Sequence, residues 1–312
     1  MFCSPSVSKT KKAFCYSKSS LIKIIKAWNL INPRNKIIIT DTDSPTAIIE
    51  KIDEKMHLIS HKKKAYWSWI DIIKNLAYKA SQFKIIDEMK TIEKKDLRPQ
   101  QPKEWIKNPT EWLSNFDIEK VLHQYDSIPD NNYKFLGVFS IDFGLKNKNG
   151  KCLVDNDCII DIKKILKKNI KYIGFITNLS KSNEPGTHWT SSFFVLDPTL
   201  PSYGGYYYDS TAHNIPTDLR VVFKDIKTQC ENIFKKPFKI YTSKVVHQRS
   251  NTECGMFSIA FQTRWVLLLN KNKNTTFLEI INFSGYTDKV MKLLRFKFFR
   301  PNVNYLKTIQ KT

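Results

Sequence analysis

The chain has 312 residues, of which 41% are hydrophobic and 13% aromatic, and its formal net charge is +22. This apolar content excludes a disordered basic tail protein, because such chains lack the aromatic residues that build a core. Nine Gly and thirteen Pro exclude collagen-like and low-complexity material.

The positive charge has two interpretations. A pI near 9.6 is typical of proteins that bind polyanions, nucleic acid above all. However, 44 of the 51 basic residues are Lys and seven are Arg, whereas phosphate and base recognition favour the bidentate fork of Arg. The excess is interpreted first as the lysine bias of an A+T-rich genome. It is compatible with loose nucleic-acid association through a basic surface.

Residues 1–100 are predicted to form a helical, basic arm domain. Residues 21–31 are apolar with a polar residue at about every third position, which predicts an amphipathic helix rather than a signal segment. No run reaches the roughly 20 apolar residues that cross a bilayer, so we expect a soluble protein without membrane insertion. The six cysteines show no zinc-site or disulfide-scaffold spacing, and we expect thiols in a reducing compartment.

Residues 101–312 are predicted to form the core domain, after a linker with two prolines near residues 95–104. Thr110 is the expected N-cap of a helix that starts near Glu111. Apolar runs predict strands, and three-to-four spacing predicts helices, at the following places: strands 135–141, 172–178, 189–196, 205–209 and 238–246, and helices 217–235 and 254–269. The fold class is therefore α+β, with an N-terminal helical arm.

Cys254 is the first candidate for chemistry. It stands where a loop turns into a helix, so its thiol faces unpaired amide N–H groups and the positive end of the helix dipole, which favour the thiolate. The Gly255 that follows leaves room for a substrate backbone. A buried core thiol at a helix start is the alternative interpretation of Cys254 alone.

A cysteine nucleophile requires a histidine that accepts its proton and a third group that orients the imidazole ring. Among six histidines, His188 stands out because it begins a buried strand, where a side chain is held firmly yet stays accessible. Asp209 closes the next strand, and the two side chains meet at one sheet edge if those strands are neighbours. Gln248, six residues before Cys254, could donate a hydrogen bond to an oxyanion beside the Cys254 N–H.

The order His188, Asp209, Gln248, Cys254, with His-Trp at 188–189 and Gln six residues before Cys-Gly, resembles the SUMO-protease and adenovirus-type cysteine proteases. Within that clan it is most similar to the polyprotein-processing proteases of African swine fever virus and other large DNA viruses. The resemblance covers about residues 110–300 and implies a central mixed sheet flanked by helices. One departure concerns the third triad position, where the swine fever virus enzyme uses Asn and this sequence has Asp209.

The resemblance also implies the substrate. The segment beginning at Trp112 is similar to the helix that opens the clan's core, where that Trp and the Trp after the catalytic His form the two walls of a tunnel. Carried over, Trp112 and Trp189 would enclose two residues without side chains, so the cleaved site would be Gly-Gly-Xaa. Core packing is the alternative interpretation of both Trp residues.

The leading hypothesis is a viral cysteine endopeptidase that cleaves structural polyproteins after Gly-Gly during virion maturation, through a His-Asp-Cys triad and a thioester. It would need no metal or organic cofactor and would act in the virion and in the viral factory of the host cytoplasm. The alternatives are a ubiquitin or SUMO deconjugating protease acting on host conjugates, and an inactive, nucleic-acid-binding relative. Oligomeric state and the role of the arm do not follow from the sequence.

Overall fold

The computed structural model describes residues 2–8, 14–60, 66–128, 130–154 and 158–301, without the side chains of residues 57–60. The chain divides into two compact units. The first unit contains the residues up to Ile106 and the described residues from Lys297 onward, and the second unit spans Lys107–Phe296.

The first unit is helical in its described residues. Its α-helices are α1 (Pro5–Ser8), α2 (Lys18–Ile31), α3 (Pro45–Ser60), α4 (Trp69–Lys79) and α5 (Phe83–Asp96), with short 3₁₀ helices at Tyr66–Ser68 and Lys103–Ile106. Helix α2 buries Leu21, Ile24 and Trp28 on one face, as its amphipathic sequence predicts. The ring of Trp69 at the start of α4 stacks on the ring of Tyr16, just before α2, at 5.8 Å between centroids. Buried residues of α2 to α5 belong to one apolar core.

The boundary between the units differs from the predicted one at the C-terminal end. The prediction assigns all residues after 100 to the core, whereas Arg300 lies in the first unit. Its guanidinium is completely buried and pairs with the carboxylates of Asp71, at 2.6 Å, and Glu93. A buried guanidinium needs such partners, and sequence spacing gives no sign of a pair more than 200 residues apart.

Four of the six cysteines form disulfides, contrary to the expectation of thiols. Cys3 is bonded to Cys15 and Cys152 to Cys158. Each pair is close in sequence, so a short loop brings the two sulfurs together. Cys254 and Cys230 are free and buried.

The second unit contains a five-stranded sheet and six α-helices in its described residues. In chain order the elements are α6 (Asn115–Asp126), β1 (Tyr133–Ser140), α7 (Ile162–Lys167), β2 (Tyr172–Asn178), β3 (Trp189–Val195), β4 (Gly204–Tyr208), α8 (Thr217–Phe234), β5 (Lys239–Thr242), α9 (Cys254–Lys271), α10 (Phe277–Ile281) and α11 (Asp288–Phe298). The strands lie in the order β1-β2-β3-β4-β5. The two outer pairs, β1–β2 and β4–β5, are parallel, and β2–β3 and β3–β4 are antiparallel.

Helices cover both faces of this sheet. On one face, Phe194 of β3 packs against Phe223 of α8, at 4.9 Å between ring centroids, within a cluster that includes Ile162 of α7. On the other face, Phe193 stacks on Trp265 of α9 at 5.1 Å, and α6 packs against β1 and α9. The alternation of neighbouring residues between the two faces follows from the period of two along a strand.

The helix that opens the second unit begins later than predicted. Thr110 is not its N-cap: α6 starts at Asn115, and Ser114 caps it through a capping box with Asp117. Residues 111–113 are not helical. Tertiary hydrogen bonds to this segment, described below, outweigh its local helix signal. Among the described helices, none is long and apolar enough to cross a membrane.

Candidate active site

His188 and Asp209 meet at one edge of the sheet. His188 directly precedes β3 and Asp209 directly follows β4, and these strands are antiparallel neighbours with Ser191 opposite Tyr208. The start of one strand therefore lies beside the end of the other. The Nε2 atom of His188 lies 2.9 Å from Oδ1 of Asp209. The predicted juxtaposition thus follows directly from the strand pairing.

A tight turn after Asp209 fixes its carboxylate. The Thr211 backbone N–H and hydroxyl both donate to Oδ1 of Asp209, at 2.8 and 2.7 Å. Ala212 adopts a left-handed conformation with φ of 64° and donates its N–H to the Asp209 carbonyl at 2.9 Å. The Asp209 side chain is completely buried, so these donors replace the water that an ionised carboxylate would otherwise need.

Cys254 is the first residue of α9 and is buried. Its thiol lies close enough to the His188 ring to contribute to the raised pKa of that ring. Because Nε2 of His188 contacts Asp209, Nδ1 is the ring nitrogen that remains for the thiol. Cys254, His188 and Asp209 therefore form one row of interacting side chains, with the sulfur at the N-terminus of an 18-residue helix.

The charged forms of His188 and Asp209 stabilise each other. Burial alone would lower the pKa of His188, but hydrogen bonds with Asp209 and Cys254, together with the charges of both, outweigh it and raise the pKa to about 9. Burial works against ionisation of Asp209 as well, yet hydrogen bonds from His188 and Thr211 hold the pKa of this carboxyl below its usual range. At neutral pH the row therefore carries an imidazolium beside a carboxylate.

Gln248 is buried, and both ends of its side-chain amide are held. Its Oε1 accepts from the Ser210 hydroxyl at 2.7 Å, and its Nε2 donates to the Ser250 carbonyl at 2.6 Å. The Ser210 carbonyl in turn accepts from the backbone N–H groups of His247 and Gln248, each at 2.9 Å. An amide nitrogen carries two hydrogens, so one N–H of Gln248 is available for a ligand.

The two predicted tunnel walls differ in exposure. Trp189 is 9% exposed and donates from its indole N–H to the Leu113 carbonyl at 3.0 Å. Trp112 is 44% exposed and donates to the Asn251 carbonyl at 2.9 Å. The non-helical segment at 112–113 is thus tied both to the start of β3 and to the loop before Cys254.

Gly255 lies in a tighter place than an open substrate groove. A Cβ on this residue would come within 3.2 Å of a Leu113 methyl group and 3.2 Å of the Trp189 ring. Few real Cβ contacts are so close, so a glycine lets α9 approach Leu113 and Trp189. The residue thereby sets the position of the Trp189 indole rather than only leaving space for a substrate.

Several polar residues that contact the site were not identified from the sequence. Thr211 binds Asp209, Ser210 binds Gln248, and the exposed His213 places Nδ1 2.8 Å from the Thr211 hydroxyl and 3.6 Å from Oδ2 of Asp209. Asp288 and Arg295 hold the loop before Cys254 from about 40 residues away. Thr211 and Ser210 were detectable as polar residues in the turn after the strand; Asp288 and Arg295 carry no local signal.

Metal ligation has no support among the residues that the structure describes. These residues contain no group of three or more His, Cys, Asp or Glu side chains that could hold a metal ion.

Comparison with known proteins finds viral cysteine proteases, although no family model matches the chain. A thiol protease of Acanthamoeba polyphaga mimivirus is 25% identical over 277 residues, which are 84% of this chain and 83% of the relative. The cysteine protease of African swine fever virus, isolate Tick/Malawi, is 23% identical over 286 residues, covering 83% of this chain and 97% of the relative. In the Warthog/Namibia isolate the corresponding protein, 22% identical over 275 residues, is named a SUMO-1 cysteine protease.

The fold agrees with these relatives. The crystal structure of the African swine fever virus protease superposes with a TM-score of 0.60 at 18% identity, over 97% of this chain and 96% of that one. The predicted fold class, an α+β SUMO-protease-like core with a mixed sheet flanked by helices, is confirmed. The chain is a homologue of cysteine proteases from large DNA viruses, and the predicted enzyme class of cysteine peptidase is confirmed by these homologues.

Proposed function

We propose that this protein is a viral cysteine endopeptidase in which Cys254 is the nucleophile, His188 the general base and acid, and Asp209 the residue that orients the His188 ring. The observation that carries the proposal is the row itself. Nε2 of His188 lies 2.9 Å from the buried Asp209 carboxylate, and the same ring interacts with the Cys254 thiol at a helix N-terminus, which contributes to its raised pKa. A nucleophile, a base and an orienting group in this arrangement define triad chemistry.

The reaction follows from the geometry of the row. The thiol proton is held on Nδ1 of the His188 imidazolium, and the Cys254 thiolate attacks the carbonyl carbon of the scissile peptide. His188 then returns the proton to the nitrogen of the leaving amine, and the C–N bond breaks to leave a thioester on Cys254. A water molecule, deprotonated by His188, attacks the thioester and releases the carboxylic acid and the free thiol.

The negative charge that develops on the carbonyl oxygen needs donors. We assign this role to the second N–H of Gln248 and to the Cys254 backbone N–H, which belongs to the first turn of α9 and is not used within the helix. The hydroxyl of Ser210 on Oε1 of Gln248 supports this assignment. It turns the nitrogen end of the amide away from Ser210 and leaves it as the donor.

We further propose Gly-Gly-Xaa as the substrate motif. The Trp189 indole N–H donates to Leu113, the residue after Trp112. The Trp112 indole N–H donates to Asn251, three residues before Cys254. Two rigid indoles at this place would exclude residues with a Cβ before the scissile bond. Gly255 supports the idea, because its missing Cβ allows Trp189 to lie against the helix that carries the nucleophile.

Viral structural polyproteins are the proposed natural substrates, cleaved during virion maturation in the virion and in the viral factory of the host cytoplasm. The viral origin of the relatives supports this context. We propose the helical first unit as an arm separate from the catalytic unit, which fits the division of the chain. Loose nucleic-acid association through the surplus of lysines is part of the same proposal and predicts binding that weakens steeply with salt.

The central test compares the two free cysteines. Cys254→Ala should abolish cleavage of a Gly-Gly-Xaa peptide, and Cys230→Ala should retain it, because Cys230 is buried and bonded to no other cysteine. Both variants should keep the circular dichroism spectrum of the wild type. Cleavage by Cys254→Ala would refute the assignment of the nucleophile.

A second test addresses the motif. A Gly-Ala-Xaa peptide should be cleaved far more slowly than Gly-Gly-Xaa, and equal rates for the two peptides would refute the proposed tunnel.

Deconjugation of ubiquitin or SUMO is the second candidate function. It is favoured by one observation, the name SUMO-1 cysteine protease carried by a relative. The chemistry would be identical for both functions, so only the preferred substrate distinguishes them. A SUMO conjugate, a ubiquitin conjugate and a capsid polyprotein with Gly-Gly sites should be offered side by side. Preferential cleavage of the polyprotein is expected, and preferential release of SUMO or ubiquitin would establish the alternative.

A further inference from the structure

The loop before the nucleophile, residues 248–253, is held at both ends by one helix. Helix α11 begins at Asp288 and contains Arg295 seven positions later. Residues seven apart lie on the same side of a helix, two turns from each other. Asp288 binds the early part of the 248–253 loop and Arg295 binds its late part.

The Asp288 carboxylate accepts three hydrogen bonds from the loop. The N–H groups of Arg249 and Ser250 both donate to Oδ2, at 3.0 and 3.1 Å, and the Ser250 hydroxyl donates to Oδ1 at 2.9 Å. An ionised carboxylate forms stronger hydrogen bonds than a neutral acceptor. Three charge-assisted hydrogen bonds therefore fix the conformation of Ser250.

The position of Ser250 in turn fixes the side chain of Gln248, through the Ser250 carbonyl. This carbonyl accepts the Nε2 hydrogen bond of Gln248 at 2.6 Å, while the Ser210 hydroxyl holds Oε1 at 2.7 Å. The plane and direction of the amide are set by these two contacts. The direction of the second Nε2 hydrogen, which we assign to the oxyanion, consequently depends on where Ser250 lies.

Arg295 fixes the other end of the loop. Its Nε donates to the Glu253 carboxylate at 2.9 Å, and its terminal nitrogens donate to the carbonyls of Thr252, at 3.1 Å, and Glu111, at 2.7 Å. The planar guanidinium offers several donors in fixed directions. With Arg295 holding the end that leads into Cys254, a change at Asp288 is expected to act on the Gln248 end.

We propose that Asp288 is a positioning residue for transition-state stabilisation: through Ser250 it orients the Gln248 amide toward the oxyanion. This inference rests on the oxyanion role proposed for Gln248. It assigns to α11 a function in the reaction although no residue of that helix is assigned to touch the substrate.

The variant Asp288→Asn separates positioning from packing. Asparagine preserves the size of the side chain but replaces one carboxylate oxygen by an NH₂ group, which cannot accept from the loop N–H groups. With the amide oxygen toward the two backbone N–H groups, the NH₂ group faces the Ser250 hydroxyl and can only donate to it. In this orientation that bond reverses its direction, and in either orientation the negative charge is lost. Asp218→Asn is the matched control, because Asp218 also lies in the first turn of a helix, α8, of the same unit.

Three rates should be measured on the full chain: cleavage of a Gly-Gly-Xaa peptide, acylation by p-nitrophenyl acetate, and alkylation by iodoacetamide. Peptide and ester both develop an oxyanion, whereas alkylation depends on the thiolate alone. Burial raises the pKa of Cys230, the other free thiol, to about 12, so it contributes little to alkylation near neutral pH. In Asp288→Asn, acylation and kcat should fall by about tenfold or more, with KM and alkylation changed by less than about twofold.

Two outcomes would overturn the inference. In the first, ester acylation of Asp288→Asn equals that of Asp218→Asn. In the second, acylation and alkylation fall by the same factor, which would mean a general loss of the site. If wild-type protein is acylated by the ester but cleaves no Gly-Gly-Xaa peptide, the proposed specificity fails while the ester rates still decide the role of Asp288. A wild-type protein that reacts with neither substrate refutes both proposals.

If Asp288→Asn does not fold, a second variant, Ser250→Ala, tests the same inference. Ser250→Ala removes the hydroxyl bond to Oδ1 and leaves the carboxylate and both backbone hydrogen bonds in place. It should lower the ester acylation rate by a smaller factor than that expected for Asp288→Asn, again without an effect on alkylation. An acylation rate equal to that of the wild type would contradict the transmission through Ser250.

Discussion

Arg295 and Glu253 form an ion pair that is almost completely excluded from solvent. Nε of Arg295 lies 2.9 Å from Oε2 of Glu253, and the two side chains are 1% and 0% exposed. Glu253 is the residue before Cys254, so this pair determines where α9 begins. A buried ion pair adds little net stability compared with apolar residues, but removal of one partner leaves a charge without compensation.

Arg295→Met should therefore destabilise the second unit. We expect a loss of about 3 to 5 kcal/mol in the free energy of unfolding, since the Glu253 carboxylate stays buried without its partner. Urea unfolding followed by circular dichroism measures this loss. The double variant Arg295→Met, Glu253→Gln should recover part of it.

The control for this prediction is Lys120→Met. Lys120 is 60% exposed in its 3.7 Å contact with Asp117, and an exposed pair contributes less than about 1 kcal/mol. Equal losses for the two variants would contradict the burial argument.

The pH dependence of cleavage should reflect His188. The pKa of this residue rises from its usual 6.5 to about 9, so the imidazolium that protonates the leaving amine persists until the pH approaches 9. The alkaline limb of kcat/KM is expected near that pH. Asp209→Asn should move the limb to lower pH, because it removes the charge that favours the imidazolium. His123→Gln, which alters a histidine paired with Asp126, should leave the limb unchanged.

The same shift has a consequence for stability. A histidine whose pKa is raised by folding stabilises the folded state fully below its unfolded pKa, and the contribution disappears as the pH rises through the folded pKa. The free energy of unfolding of the wild type, measured relative to His188→Gln, should thus decrease between about pH 6.5 and 9. A difference that grows over this interval would show that the pKa is lowered instead.

Trp112 should matter for cleavage far more than for stability. Its ring is 44% exposed and held by one hydrogen bond to Asn251, so Trp112→Ala removes little buried surface. We expect kcat/KM on a Gly-Gly-Xaa peptide to fall by about tenfold or more, with a nearly unchanged melting temperature. Phe116→Ala, which truncates an aromatic residue that is 64% exposed, should leave both quantities unchanged. An active Trp112→Ala variant would eliminate this residue as a tunnel wall.

Gly255→Ala should impair the site by displacing Trp189. The new methyl group would lie 3.2 Å from the Trp189 ring and 3.3 Å from the Leu113 Cβ, so these neighbours would have to shift by a few tenths of an ångström. Peptide cleavage is expected to fall by about tenfold. Fluorescence of the indoles and kcat/KM would be compared with the wild type, and full activity with an unchanged spectrum would contradict the packing argument.

Local sequence predicted those parts of the site that depend on neighbouring residues. Cys254 at a helix start, His188 before a strand and Asp209 after the next strand are positions that hydrophobic runs define. Strand pairing then brings His188 to Asp209. The strands β1 to β5 were predicted for the same reason, because runs rich in apolar and aromatic residues are interrupted by polar turns.

The contacts between distant segments could not be predicted in this way. Asp288 and Arg295 reach the 248–253 loop across 38 to 43 residues, and a charged residue on an exposed-looking helix gives no sign of its partner. The predicted cap at Thr110 was wrong for a related reason. The segment before α6 is held by Trp189 and Arg295, and such tertiary contacts override local helix preference.

The position of α11 in the chain also determines when the 248–253 loop is fixed during synthesis. The sheet edge with His188 and Asp209 is synthesised first, the proposed nucleophile Cys254 follows, and Asp288 and Arg295 are synthesised after it. Domains form as units once their chain is available. A growing polypeptide that has not yet reached Arg295 lacks the contacts that hold the 248–253 loop. The loop before Cys254 is therefore fixed only when the chain has been extended past α11.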